Sequence, residues 1–230
     1  MFFIQKVVSK NVSEGLSHRP IFSAYRATSD VLFAEIARLY LKKDPVVVDA
    51  TFGKGNWWKR ITRTDIQLIK IDVLTGGDFA NTGLQSEIAD AFLFDPPFLR
   101  SPKSAYGSVD RFRKNYNLES GCALRNHDDI LRMYDGAARE ASRVLKKRGL
   151  MIVKCQDHVS NGEPRLTHVD LVNRYPVHKL RFVDLFILHQ IAPPKIPPQN
   201  RGQLFARKNH SYFLIFERVI RSRGPRPTKW

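Results

Sequence analysis

Residues 46–56 read Val-Val-Val-Asp-Ala-Thr-Phe-Gly-Lys-Gly-Asn, an apolar run that leads through a carboxylate into a glycine turn. Three successive β-branched residues are typical of a short strand that is buried on both faces. Gly53 and Gly55 then allow the backbone to turn tightly and to approach a ligand closely. Because ligands of doubly wound sheets bind beyond the carboxyl ends of the strands, this stretch predicts a binding loop that starts at Asp49.

A second apolar stretch of the same kind, residues 67–72, also ends in a carboxylate. Asp72 follows Gly53 by about 20 residues, the spacing at which an acidic side chain meets ribose hydroxyls in nucleotide-binding folds. A dinucleotide fingerprint would need a third glycine where this chain has Trp58. The pattern therefore favours a nucleoside-containing ligand without a pyrophosphate, and Asp78, in the loop ahead of the third strand, is predicted to reach its adenine.

A third strand, predicted over residues 91–94, leads into Asp95-Pro96-Pro97-Phe98. Two prolines fix the backbone and remove two N–H donors, so the turn is rich in acceptors, namely the Asp95 carboxylate and the carbonyls of Asp95 and Pro96. Such a cluster can accept hydrogen bonds from a planar amino group and make its nitrogen more nucleophilic. Phe98 can stack on a planar base, which is worth about 1–3 kcal/mol.

The rest of the chain shows strands and helices in alternation. Helices are predicted over residues 28–43, 128–148 and 166–175, and further strands over residues 150–155, 180–188 and 211–216. This alternation predicts an α/β fold with a Rossmann-like, doubly wound and mostly parallel sheet. Because a proline-rich link and no helix joins the last two strands, the C-terminal strand is predicted to be antiparallel.

Together and in this order, the glycine turn and the Asp95–Phe98 tetrapeptide resemble the class I S-adenosylmethionine-dependent methyltransferases, in particular those that methylate amino groups of nucleic-acid bases. Residues 153–157 and 206–214 also resemble small phage and bacterial DNA methylases, and the resemblance covers residues 19–218. It implies S-adenosyl-L-methionine as the cofactor and two sets of site residues. These are the cofactor-binding residues Asp49, Thr51, Gly53, Gly55, Asp72 and Asp78, and the catalytic residues Asp95, Pro96, Pro97 and Phe98.

The resemblance further implies methyl transfer to an exocyclic amino group of a DNA base, with adenine N6 as the first choice. Three alternatives stay open: an RNA adenine-N6 methyltransferase, a DNA cytosine-N4 methyltransferase, and a non-catalytic nucleic-acid-binding subunit with a methyltransferase fold. The expected organisation is a single methyltransferase domain over residues 1–218 and a basic tail over residues 219–230. A homodimer or a separate specificity partner also stays open.

The charge of the chain favours a polyanionic partner, with DNA preferred to RNA. The sequence has 38 Lys and Arg against 22 Asp and Glu, a net charge of +16. An insert over residues 99–127 interleaves basic and aromatic side chains directly after the tetrapeptide, and it is predicted to bind phosphates and stack on bases. The candidate nucleic-acid-binding residues are Arg100, Lys103, Arg111, Arg113, Lys114, Arg207 and Lys208.

Composition excludes several other classes. With 43% hydrophobic and 26% charged residues the chain is in the globular range, and no apolar run approaches the roughly 20 residues of a membrane span. Cys122 and Cys155 form neither a disulfide framework nor a metal-ligand spacing, so no metal is expected. The first residues lack a secretory-signal pattern, and a cytoplasmic location is expected, nucleoid-associated in a bacterium or phage.

Overall fold

The computed structural model describes residues 19–72, 75–96, 126–191 and 204–220. Its helices are α1 (Ser29–Tyr40), α2 (His127–Val144) and α3 (Thr167–Arg174), with short 3-10 helices at Asn56–Arg60 and Tyr175–His178. Its strands are β1 (Ala24–Ala27), β2 (Val46–Asp49), β3 (Gln67–Lys70), β4 (Ala89–Phe94), β5 (Leu145–Cys155), β6 (His158–Ser160), β7 (Glu163–Arg165), β8 (Leu180–Gln190) and β9 (His210–Arg218).

Seven strands form one sheet in the order β1-β8-β9-β5-β4-β2-β3. β9 runs antiparallel to both of its neighbours, β5 and β8, and the other pairs of this sheet are parallel. The predicted fold class is therefore confirmed, including the antiparallel C-terminal strand. This topology brings the carboxyl ends of β2, β3, β4 and β5 to the same edge of the sheet.

The sheet is covered on both faces, as a doubly wound fold requires. On one face, α1 contributes Leu32, Phe33 and Ile36 to a buried cluster that also contains Trp57. On the other face, α2 packs its apolar stripe against the strands through a second buried cluster. Residues 91–94 of β4 alternate between these clusters, so both of its faces are apolar, and its one polar residue, Asp90, lies near its start.

Two predicted helices are shorter in the structure. The helix predicted over residues 128–148 ends at Val144, because Leu145 pairs with Ala89 and begins β5. Arg148, with a φ of +63°, lies in the left-handed region that an α-helix cannot continue through. The helix predicted over 28–43 ends at Tyr40.

Three short strands were not predicted. β1 is parallel to β8 at one edge of the sheet, and β6 and β7 form a small hairpin. The strand predicted to run to Asp72 ends at Lys70, so Asp72 follows the strand. None of the helices in the described ranges is long and apolar enough to cross a membrane. Over the same ranges, no group of three or more His, Cys, Asp or Glu side chains could hold a metal ion.

Candidate active site

The loop after β2 is a tight turn built on two left-handed glycines. Gly53 and Gly55 have φ values of +50° and +63°, which residues with a side chain rarely adopt. A Cβ on Gly55 would lie 2.8 Å from Cζ of Phe52, so a larger residue there would displace the phenyl ring. The N–H of Gly55 donates to the Phe52 carbonyl at 2.8 Å, and the 3-10 helix starts at the next residue.

Asp49 anchors this loop from inside the protein. Its Oδ1 accepts the N–H of Thr51 at 3.1 Å, and its Oδ2 accepts the indole N–H of Trp58 at 2.7 Å. The residue is only 5% exposed, and burial raises the pKa of Asp49 to about 6 against the opposing effect of these two hydrogen bonds. Both of its oxygens are thus bound within the chain.

Asp95, at the end of β4, has a different environment. Its Oδ2 accepts the indole N–H of Trp57 at 2.9 Å and lies 3.4 Å from the Lys154 ammonium, whereas its Oδ1 has no hydrogen-bond partner among the described residues. The Asp95 side chain is 28% exposed. Burial raises the pKa of Asp95, and the charge of Lys154 and the indole hydrogen bond oppose that rise.

Thr51 connects the two loops. Its hydroxyl oxygen accepts the backbone N–H of Asp95 at 2.7 Å, so the end of β4 is held against the glycine loop. The negative charges of Asp95 and Asp72 both contribute to the raised pKa of Asp49, which places the three carboxylates at one edge of the sheet. The hydrogen bond of Thr51 indicates a structural contribution beside its predicted role in cofactor binding.

The other predicted cofactor residues lie beyond β3. Asp72 is half-buried, and its carbonyl accepts the N–H of Gly77 at 2.9 Å. Asp78 is exposed, and its Oδ1 accepts the N–H of Ala80 at 2.8 Å, which stabilises the turn that contains it. Their contacts with a ribose and an adenine remain predictions.

Some predicted site residues lie outside the described part of the chain. Of the tetrapeptide, Asp95 and Pro96 are described, whereas Pro97 and Phe98 are not. The same holds for the insert residues Arg100, Lys103, Arg111, Arg113 and Lys114. Arg207 and Lys208 are described and half-buried, and the Lys208 carbonyl accepts a hydrogen bond from the Gln156 amide at 3.2 Å, beside the end of β5.

Three residues at the site were not predicted from the sequence, namely Trp57, Trp58 and Lys154. Trp57 packs between Phe33 and Phe213, with ring centroids 5.0 and 4.8 Å away, so its indole is fixed while it donates to Asp95. Lys154 is only 12% exposed and lies over the Phe213 ring, 5.8 Å from its centroid. The available signals were a lysine in the otherwise apolar stretch 150–155 and two adjacent tryptophans after a glycine turn.

Comparison with known proteins identifies the fold. No protein-family model matches this sequence, and no curated protein matches it. The structure aligns with a 1,6-didemethyltoxoflavin-N1-methyltransferase of Burkholderia thailandensis, crystallised with S-adenosylhomocysteine, over 84% of this chain and 79% of that one, at 12% identity and a TM-score of 0.50. It also aligns with a SAM-dependent methyltransferase of Methanosarcina mazei over 81% and 98% of the chains, at 10% identity and a TM-score of 0.48.

A Thermus thermophilus protein provisionally identified as a DNA modification methylase, crystallised with S-adenosylmethionine, aligns at 17% identity and a TM-score of 0.41. This alignment covers 65% of the present chain and 56% of the Thermus chain, so the chain spans about half the length of that protein. At such identities the similarity shows the fold alone. The chain has the Rossmann-like fold of the S-adenosylmethionine-dependent methyltransferases.

Proposed function

We propose that this chain is an enzyme that transfers a methyl group from S-adenosylmethionine to an exocyclic amino group of a DNA base, with adenine N6 as the target. The proposal rests on the hydrogen-bond partners of the Asp95 carboxylate. One oxygen is held by Trp57 and Lys154, and the other is free of partners among the described residues, at the end of β4 and beside the glycine loop. A fixed acceptor at this position suits an amino-group nucleophile.

The residues present fit the proposed cofactor. Among the described residues, the only atom that a Cβ on Gly53 would approach within 4 Å is the Thr51 carbonyl oxygen, at 3.8 Å, so the glycine turn leaves room for a ligand. In the proposal, this turn binds the amino-acid part, Asp72 binds the ribose hydroxyls and Asp78 reaches the adenine. When bound, S-adenosylmethionine supplies an electrophilic methyl group.

The catalytic task of the chain is then to orient and polarise the amino group. Asp95 Oδ1 and the Pro96 carbonyl accept its two hydrogens, which directs the nitrogen lone pair away from the base plane and toward the methyl carbon. The Lys154 ammonium favours the ionised form of Asp95, which is the better acceptor. Phe98 is proposed to stack on the base. Orientation and electrostatic preorganisation supply most of the catalysis, and the released proton leaves to solvent.

Nucleic acid is the proposed partner because of the net charge of +16. A base within a duplex would have to be rotated out of the stack, at a cost of a few kcal/mol that stacking on Phe98 partly offsets. A single-stranded substrate would avoid that cost.

The test is mass-spectrometric nucleoside analysis of DNA and RNA from methylation-deficient cells that express the chain. Asp95→Ala is the inactive variant. Asp90→Ala is its matched control, because Asp90 lies in the same strand at the opposite end and also pairs with a lysine, Lys146, at 2.8 Å. The expected result is N6-methyladenine in DNA with the wild type and Asp90→Ala, and none with Asp95→Ala.

Other results would change the proposal in defined ways. N4-methylcytosine in DNA would keep the mechanism and change the base, and a mark confined to RNA would replace DNA with RNA as the substrate. Absence of a mark in both, together with no calorimetric binding of S-adenosylmethionine by the purified protein, would support a non-catalytic nucleic-acid-binding subunit instead.

A further inference from the structure

A cavity lies beside the candidate active site. This cleft has a volume of about 720 Å³ and lies between the first turn of α1, the 3-10 helix at Asn56–Arg60 and the ends of β5, β8 and β9. Its lining includes neither the glycine turn nor the carboxylates Asp49, Asp72 and Asp95. The cleft is therefore separate from the loop that is proposed to bind the cofactor, and its volume is typical of small-ligand sites.

The lining of the cleft is largely apolar and carries several polar and basic side chains. Among the described residues its cations are Lys59, Arg60 and Lys154, and its one carboxylate, Asp30, already pairs with Arg60 at 3.2 Å. Ser211 is fully buried, and its hydroxyl has no hydrogen-bond partner in the described part of the chain. A buried hydroxyl without a partner costs free energy, so a ligand that bonds to Ser211 would recover that loss.

The polar groups are arranged by depth. Lys59 and Arg60 are exposed at the mouth, whereas Ser211 is buried and the Lys154 side chain is only 12% exposed. A nucleotide has a matching arrangement of polar groups, with an anionic phosphate at one end and a planar, hydrogen-bonding base at the other. Lys154 also connects the cleft to the candidate active site, because its ammonium lies 3.4 Å from Asp95 Oδ2.

We propose that this cleft receives the acceptor nucleotide, with its phosphate on Lys59 and Arg60 and its base inserted toward Ser211 and Lys154. The inference rests on the proposed function, since it places the nucleotide that is to be methylated next to Asp95. It assigns acceptor binding to the body of the domain rather than to the basic insert alone. A base in a duplex would have to leave its stack to enter the cleft.

The test measures binding and catalysis separately for two cleft variants and one control. Lys59→Glu reverses a charge at the mouth, and Ser211→Ala removes the buried hydroxyl. Lys43→Glu makes the same charge change at an exposed position just after α1, away from the cleft. Fluorescence anisotropy of a labelled single-stranded oligonucleotide gives its Kd, calorimetry gives the Kd of S-adenosylmethionine, and radiolabelled transfer gives kcat and KM.

We expect Lys59→Glu to weaken oligonucleotide binding by at least about tenfold and Ser211→Ala by about three- to tenfold. In both variants the Kd of S-adenosylmethionine is expected to stay within about twofold of the wild type, and Lys43→Glu is expected to change oligonucleotide binding by less than about threefold.

Three results would overturn the inference. Equal losses in Lys59→Glu and Lys43→Glu would show a general charge effect, and a weakened Kd of S-adenosylmethionine with unchanged oligonucleotide binding would assign the cleft to the cofactor. Failure of the wild type to bind any oligonucleotide would also contradict it. A wild type that binds oligonucleotides through Lys59 and Ser211 but transfers no methyl group would refute the proposed function and leave the cleft as a nucleotide-binding site.

Discussion

Asp49 and Asp95 end neighbouring strands, and each accepts a hydrogen bond from one of two consecutive indoles. Trp58 donates to Asp49 and Trp57 donates to Asp95. The two carboxylates differ in what their second oxygen does. In Asp49 it accepts a backbone N–H of its own loop, and the residue is almost fully buried. In Asp95 it has no partner in the described part of the chain, and over a quarter of the side chain is exposed.

This difference indicates that Asp49 fixes a loop, whereas Asp95 can still bind a ligand. A carboxylate with both oxygens bound inside the protein fixes a loop and has little capacity left for a ligand. A carboxylate with one oxygen fixed and one available is rigid and still able to accept a hydrogen bond. Charge distinguishes them as well, because Lys154 is 3.4 Å from Asp95 whereas the indole of Trp58 and the backbone of Thr51 offer Asp49 neutral N–H groups.

The largest expected effect is on catalysis at Asp95. Asp95→Ala removes the acceptor, and we expect transfer to fall at least about 1,000-fold, or about 4 kcal/mol, while S-adenosylmethionine still binds. Asp95→Asn keeps one oxygen without the charge and should retain partial activity. Radiolabelled transfer and calorimetry would measure both quantities. Full activity in Asp95→Ala would refute the assignment of this residue.

The second-largest expected effect is on the pH dependence of the free energy of unfolding. It arises from the titration of Asp49. Burial raises its pKa from the ordinary 3.8 to about 6, so the folded state favours the protonated form. The stability that this preference contributes is complete below pH 3.8 and is lost as the pH rises through 6, by up to about 3 kcal/mol. Asp49→Asn cannot titrate, so the unfolding free energy of the wild type should fall relative to the variant between pH 4 and 7. Urea denaturation at several pH values measures this difference, and a constant difference would contradict the prediction.

A smaller effect is expected at Lys154. Lys154→Met removes the charge that opposes the raised pKa of Asp95, so that pKa should rise further. Transfer should then fall about tenfold or more at neutral pH and recover as the pH rises. Lys154→Arg keeps the charge and should keep the wild-type profile. A Lys154→Met variant with reduced activity but an unshifted pH–rate profile would show that the lysine acts only through packing.

The smallest effects are expected for two matched variants at the adjacent tryptophans. Trp57→Phe and Trp58→Phe each remove one indole N–H from a carboxylate, a loss of about 1–2 kcal/mol. For Trp58→Phe we expect the loss mainly in the free energy of unfolding, because Asp49 is a structural anchor. For Trp57→Phe we expect it in kcat, with the Kd of S-adenosylmethionine unchanged. A loss of kcat in Trp58→Phe together with a loss of stability in Trp57→Phe would reverse the roles given to Asp49 and Asp95.

The sequence predicted the elements whose signal is local. The β-branched run before Asp49, the apolar strand before Asp95 and the helical periodicity of α2 were all sufficient to place an element. The end of α2 was predicted too late, because Lys146, Lys147 and Arg148 are good helix formers. Pairing of Leu145 with Ala89 outweighs that propensity and extends the backbone.

The contacts of the site could not be predicted in this way, because they depend on distant pairings. Trp57 reaches Asp95 only because β2 and β4 are neighbours in the sheet, and Lys154 reaches it because β4 and β5 are. Ser211 forms part of the cleft because β9 returns antiparallel beside β5. Residue type alone indicated a core tryptophan and a strand lysine, and topology determined what they touch.

The edge strand β1 has a consequence for how the protein folds. Ala24, near the start of the described chain, pairs with Ile187, and Ala27 forms part of the cleft wall. Such a pairing closes a very long loop and has a high contact order, so it is expected to form late. During synthesis β1 emerges from the ribosome long before its partner. The cleft is thus expected to be among the last parts of the molecule to assemble.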